Sequence, residues 1–72
     1  MTDLLTPRQL EILELVSLGK TNAAIAARLG LSKFGVDHAV ITIRNKLEAR
    51  DRAHAVRRAF EQGLLPVGKG QR

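Results

Sequence analysis

The stretch Thr21-Asn22-Ala23-Ala24-Ile25-Ala26-Ala27-Arg28-Leu29-Gly30-Leu31-Ser32-Lys33 decides the fold. Thr21 is an N-cap residue: its hydroxyl can accept from one of the amides that a helix start leaves unpaired. Ile25, Ala26 and Leu29 recur at helical spacing and form one apolar stripe over 22–29. Gly30 then stops the helix, because glycine takes the left-handed conformation of a C-terminal cap without steric cost. Only Leu31 separates it from Ser32, a second N-cap. A turn this tight forces the two helices it joins to cross steeply.

Downstream, a third helix is expected over 33–47. At about 100° per residue, Val36, Val40, Ile43 and Leu47 fall within roughly 60° of one another and make its core stripe. Phe34, Asp37, His38, Ile41, Thr42 and Asn45 lie on the opposite face. Asp51 or Arg52 opens a fourth helix, over about 52–62, with Ala55, Val56, Ala59 and Phe60 on one side and Gly63 closing it. Leu64-Leu65-Pro66 is expected to fold back on the core. Upstream, Leu5-Thr6-Pro7-Arg8-Gln9-Leu10 starts a first helix over about 7–18. Thr6 is its cap, Pro7 suits the first position, Gln9 completes a capping box, and Leu5 and Leu10 make a hydrophobic staple. Ile12, Leu13 and Val16 supply its apolar face and Gly19 its stop. The fold class is therefore all-α: four helices with a helix-turn-helix at the centre, one domain over 1–65 and a flexible C-terminal tail over 66–72.

Composition narrows the function. Seventy-two residues hold one domain at most and leave little margin for an elaborate cavity. With no Cys and only His38 and His54, far apart in the chain, a disulfide scaffold and a Cys-based zinc site are excluded, and no cofactor or metal is implied. No apolar run approaches the roughly 20 residues that cross a bilayer, and no secretory signal follows Met1, so no membrane partner and a cytoplasmic setting are expected. Aromatic residues are limited to Phe34 and Phe60, too few for the stacking platforms of single-strand binders. The net charge is +5, and all of the excess follows Ser32: residues 33–72 carry nine bases and four acids. That asymmetry fits a polyanion against one side of the fold, or a solvated basic surface.

Enzyme readings fail one by one. Gly19-Lys20-Thr21 mimics the end of a phosphate-binding loop, but Glu14 stands where that motif needs glycine and a helix precedes it where a strand is required. Asp37 and His38 are helix neighbours pointing about 100° apart, which denies them a hydrogen-bonded dyad. Glu11 and Glu14 share a helix flank, where solvent explains them.

Taken together, Leu5-Thr6-Pro7-Arg8, Leu13, Gly19, Asn22, Ile25-Ala26, Arg28-Leu29, Ser32, Val36, Ile43, Lys46-Leu47, Arg50, Arg52 and Ala55-Val56 resemble the LuxR/GerE-type DNA-binding domain, a four-helix output module of bacterial regulators. The register runs without a gap from Leu5 to about Leu65. Region four of sigma factors has similar first three helices, and Leu29-Gly30-Leu31-Ser32 suits either. The run Lys46-Leu47-Glu48-Ala49-Arg50-Asp51-Arg52-Ala53-His54-Ala55-Val56 separates them, since sigma region four lacks the fourth helix.

The resemblance implies duplex DNA as partner, with helix three in the major groove, the groove wide enough to admit a helix. It puts base contacts on Asp37, His38 and Ile41, with Phe34 and Asn45 on the same face. Lys20, Thr21 and Asn22, at the start of helix two, would meet a phosphate, and Lys33, Thr42, Arg44 and Lys46 would flank the reading face. Arg50, Arg52, Arg57 and Arg58 are read as solubilising or weakly attracting surface. Helix four mediates dimerisation in the family, which makes Ala53, Arg57 and Phe60 candidates for a homodimer interface; Phe60 also fits simple packing on helix one. A dimer would address half-sites about 10 base pairs apart or a multiple of that.

The chain departs from the family pattern where it should read DNA. Gly35 replaces the usual Thr, Asp37 the common Lys and Ala39 the usual His, while Ala23 and Ala24 stand where Lys and Glu are frequent. Phe34 and Ile41 add apolar bulk to the same face. Two readings follow: this face contacts thymine methyls in a bacterial transcriptional regulator at the nucleoid, or it is a protein-binding patch with weak or no DNA binding. The length leaves no room for the receiver or sensor domain that usually precedes the module, so a stand-alone regulator and a fragment of a longer one are both expected forms.

Overall fold

The computed structural model describes residues 4–65 as four helices in the order α1 (Pro7–Ser17), α2 (Asn22–Leu29), α3 (Lys33–Lys46) and α4 (Arg52–Glu61). The expected tail over 66–72, and Pro66 within the expected return to the core, lie outside the described residues. Helices one, three and four each end one residue earlier than the spacing suggests. Leu18, Leu47 and Gln62 act as caps: each amide still bonds back into the helix, but the residue that follows turns left-handed.

Every helix starts on a side-chain cap. Thr6 Oγ1 accepts from the Gln9 amide at 3.1 Å while Gln9 Oε1 accepts from the Thr6 amide at 3.0 Å, the reciprocal capping box read from the sequence. Thr21 accepts from the Ala24 amide, Ser32 from the Gly35 amide and Asp51 from the His54 amide. At the start of α4 the His54 Nδ1 also accepts from the Arg50 amide at 3.1 Å, so this short helix is stapled on both sides of its cap.

The helix ends share one motif, the amide just after the left-handed residue reaching back over the last turn. Gly30 makes the α2–α3 turn in this way, with φ +71, and lets the Leu31 amide donate to the Ala26 carbonyl at 2.8 Å. After α3 the same bond runs from the Ala49 amide to the Arg44 carbonyl at 2.9 Å, but the left-handed residue is Glu48, with φ +56. A side chain in that conformation costs roughly 1–2 kcal/mol relative to glycine's freedom. The tight stop of α3 is held despite its sequence.

α3 packs on α1, α2 and α4, and α1 packs on α2 and α4, so α1 and α3 form the centre of the domain. Ile12, Leu13, Ile25, Val36, Ile43 and Leu47 are fully buried, and Leu5, Ala55, Ala59 and Leu65 close the ends of that core. Leu29, Val40, Val56, Phe60 and Leu64 pack at its margin, half-buried. Burying each large aliphatic side chain contributes roughly 1.5–3 kcal/mol, and these few residues carry the fold. The alanines of α4 let it approach α1 closely. Among the described residues no helix is long and apolar enough to cross a membrane.

Candidate nucleic-acid interface

With Val36, Ile43 and Leu47 turned inward, α3 presents a narrow outer stripe of Phe34, His38, Ile41 and Asn45, all exposed. Phe34 is 81% exposed and Ile41 51%, so the apolar bulk noted in the sequence does face outward. The stripe runs about 16 Å along the helix at ~1.5 Å per residue, close to the rise of five base pairs at ~3.4 Å each. A helix with side chains is roughly 10–12 Å across and a B-DNA major groove about 12 Å wide, so α3 fits that groove.

Asp37 occupies a different place. It sits on the shoulder of α3 toward α2, its side chain 39% exposed, and its carboxylate is held from both sides. Asn22 Nδ2, at the first turn of α2, donates to Asp37 Oδ1 at 2.8 Å. Lys33 Nζ, one turn back on α3, donates to Oδ2 at 3.1 Å and to Oδ1 at 3.4 Å. The Asn22 bond first, and Lys33 second, hold the carboxyl below the usual aspartate range. Asn22 is itself held: Arg52 Nη1, from α4, donates to Asn22 Oδ1 at 2.7 Å, and Arg52 Nη2 donates to the Lys20 carbonyl at 2.8 Å. A directed chain of donors therefore runs from Arg52 through Asn22 to Asp37 and ties the starts of α2 and α4 to α3.

This geometry revises several readings of single residues. Asn22 was expected at a phosphate, but both ends of its side-chain amide are engaged within the fold. Its neighbour Thr21 spends its oxygen on the α2 cap, while Lys20 keeps an exposed side chain and gives up only its carbonyl. Arg52 was read as solubilising surface and is a clamp between elements. Arg58, read the same way, donates from Nε to the Leu47 carbonyl and closes the end of α3. Lys46 reaches α1, where its Nζ donates to Gln9 Oε1 at 2.9 Å, so a residue expected at a phosphate also anchors the first capping box. Lys33 remains 64% exposed beside Asp37. Thr42 donates its hydroxyl proton to the His38 carbonyl, leaving its oxygen lone pairs for a partner. Arg44 is half-buried, with Nε buried and lacking a partner among the described residues.

On α4, Ala53 and Arg57 are exposed on the outer side, and Arg57 Nε lies 3.4 Å from Glu61 Oε2. Phe60 belongs to the margin of the core instead, half-buried against it. The three candidate interface residues are thus split between an open face and a packed one. Among the described residues no group of His, Asp and Glu side chains is arranged to hold a metal ion.

Two parts of this site escaped sequence reasoning. The Asn22–Asp37 and Arg52–Asn22 bonds join residues 15 and 30 positions apart, beyond any helical periodicity. The legible signal was Lys33 four residues before Asp37, the spacing of a helix ion pair. Had it been used, it would have marked Asp37 as a partnered carboxylate.

Comparison with known proteins gives a consistent picture. The GerE family model, bacterial regulatory proteins of the luxR family, matches residues 3–59. The transcriptional regulatory protein ComA of Bacillus subtilis is 43% identical over 63 residues, 88% of this chain and 29% of that protein. The transcriptional regulatory protein DesR of the same organism is 39% identical over 59 residues, 82% of the chain and 30% of DesR. The response regulator protein VraR of Staphylococcus aureus is 38% identical over 63 residues, 88% of the chain and 30% of VraR. The chain therefore spans about three tenths of the length of the curated relatives it matches.

Proposed function

This chain belongs to the luxR family of bacterial regulatory proteins, and from that membership we propose that it binds duplex DNA in a sequence-specific way, with α3 in the major groove, and so regulates transcription. The observation that carries the reading is the exposed stripe of Phe34, His38, Ile41 and Asn45, a face of groove-filling size on the second helix of a helix-turn-helix. Ile41 and Phe34 would meet thymine methyls, His38 and Asn45 would hydrogen-bond base edges, and Asp37 would accept from a cytosine amino group. Lys20, Lys33, Arg44 and Lys46, with the Thr21 hydroxyl proton and the first amides of α2 at Asn22, would take the phosphates, and Thr42 would join them by turning its hydroxyl proton from the His38 carbonyl to a phosphate oxygen. Ala53 and Arg57 would carry the open part of a homodimer contact, with Phe60 at its edge. A regulator of this kind works in the cytoplasm, at the nucleoid.

A fluorescence anisotropy titration with a duplex pool of randomised sequence tests it. Three to four phosphate contacts predict an affinity that falls roughly 40- to 150-fold between 50 and 200 mM salt, since the logarithm of affinity drops by about 0.9 per contact. A flat response at both salt concentrations refutes DNA binding.

The 81% exposure of Phe34 supports a second reading, that α3 presents a protein-binding patch. On that reading Phe34→Ser and Ile41→Ser abolish a partner complex while DNA binding stays negligible. Light scattering reports the dimer: monomer alone at high concentration removes α4 from the interface in the absence of DNA.

A further inference from the structure

We propose that Asn22 and Arg52 are positioning residues for base recognition: they fix the Asp37 carboxylate at the edge of the reading face so that its remaining acceptor sites meet a cytosine amino group. The inference rests on the DNA-binding reading and adds to it the determinants of one base preference.

The direction of every hydrogen bond in the cluster supports it. Lys33 alone would satisfy Asp37 electrostatically, but both lie on α3, and a long flexible lysine leaves the carboxylate free to rotate with it. Asn22 comes from another helix and holds Oδ1 from the side. Its own orientation is settled by Arg52, because a guanidinium only donates. With the Asn22 oxygen turned to Arg52, the amide nitrogen must face Asp37; the flipped amide would set nitrogen against guanidinium and oxygen against carboxylate. Arg52 is in turn fixed by the Lys20 carbonyl. Three contacts fill three of the roughly four lone-pair sites of the carboxylate and leave one on Oδ2, which shares only Lys33.

A carboxylate in the major groove accepts from the cytosine N4 amino group, is repelled by the acceptor atoms that guanine and thymine present there, and at adenine meets the N7 acceptor beside the N6 amino group. Lys33 and Arg52 offset the negative charge next to the phosphates. The chain thereby keeps an acidic residue at a position where phosphate repulsion would otherwise exclude it.

The experiment begins with a selection from randomised duplexes, followed by titration of four duplexes that differ only at the selected cytosine. The readout is the ratio of affinities among the four bases. Wild type is expected to favour cytosine about 5- to 10-fold at that position, and Asp37→Ala to abolish the preference. Asn22→Asp keeps an acceptor for Arg52 but can no longer donate to Asp37, so it should lose the preference as Asp37→Ala does. Arg52→Lys keeps the charge, loses the fork that orients Asn22, and should reduce the preference. Circular dichroism confirms that each variant is helical, and if Asn22→Asp fails to fold it is replaced by Asn22→Ala, which removes the same donation. A merely structural role would weaken binding to all four duplexes alike and leave the ratio at its wild-type value, which would overturn the proposal. So would a wild-type protein that binds duplex without favouring cytosine at any position controlled by Asp37. Absence of binding to every duplex overturns this proposal together with the DNA reading.

Discussion

Arg52→Ala should destabilise the domain by about 2 kcal/mol, although Arg52 lies only at the start of a short peripheral helix. The substitution removes the 2.7 Å bond to the half-buried Asn22 amide oxygen and the 2.8 Å bond to the exposed Lys20 carbonyl. Hydrogen bonds from a charged donor contribute roughly 1.5–3 kcal/mol when desolvated. The first bond falls at the low end of that range, and water largely replaces the second, which leaves it roughly 0.5 kcal/mol. A domain of this size has a total stability of about 4–11 kcal/mol, so the loss is a large share of it. At roughly 4–8 °C per kcal/mol, Tm should fall by about 10 °C. Urea denaturation and thermal melts followed by circular dichroism measure both quantities. Arg57→Ala is the control: it makes the same charge change on the same helix but breaks only a solvent-exposed pair with Glu61, a loss of roughly 0.3–0.5 kcal/mol. Arg52→Lys keeps the charge without the planar fork and should recover less than about half of the loss. Equal costs for the Arg52 and Arg57 variants, or full recovery by lysine, would refute the clamp and return Arg52 to the solvated surface.

Three other outcomes are expected. Glu48→Gly relieves the left-handed residue after α3 and should stabilise the chain by about 0.5–1 kcal/mol, the strain relieved less the extra entropy of glycine in the unfolded chain; an unchanged urea midpoint contradicts it. Because Asn22 and Lys33 favour the ionised Asp37, its contribution to stability is present above the unfolded-state value of about 3.9 and is lost as pH falls through the lower folded value. The stability difference between wild type and Asp37→Asn should therefore shrink below about pH 4, and a constant difference in acid would show the carboxylate to be unpaired. Ile25 is fully buried, and Ile25→Ala should cost roughly 2–5 kcal/mol, enough to bring the melting transition close to working temperature.

Helix existence and order were legible because local rules decide them. Thr6 with Gln9, Thr21, Ser32 and Asp51 each cap from within three residues, and the aliphatic stripes recur every three or four. Gly19, Gly30 and Gly63 mark three of the four stops; the fourth, at Glu48, carries no such mark and shows only in the backbone. The outward placement of Phe34, His38, Ile41 and Asn45 follows from the same periodicity once Val36 and Ile43 are assigned to the core. These are near-neighbour effects, and a single chain segment contains all the information they need.

The partners of the charged residues needed the tertiary structure. Nothing near Arg52 in the chain distinguishes it from Arg50 or Arg57, yet the packing of α4 on α1 and α3 sets its guanidinium against Asn22 and the Lys20 carbonyl. Lys46 finds Gln9 across 37 positions, and Arg58 finds the end of α3. Asp37 changes character most: read along its helix it is an unfavourable charge in a DNA groove, and in the folded domain it is a carboxylate held by two donors. Helix periodicity says which way a side chain leaves the backbone, whereas the identity of a hydrogen-bond partner depends on where other helices cross. Those crossings are set by packing of the whole core, a property no local window contains.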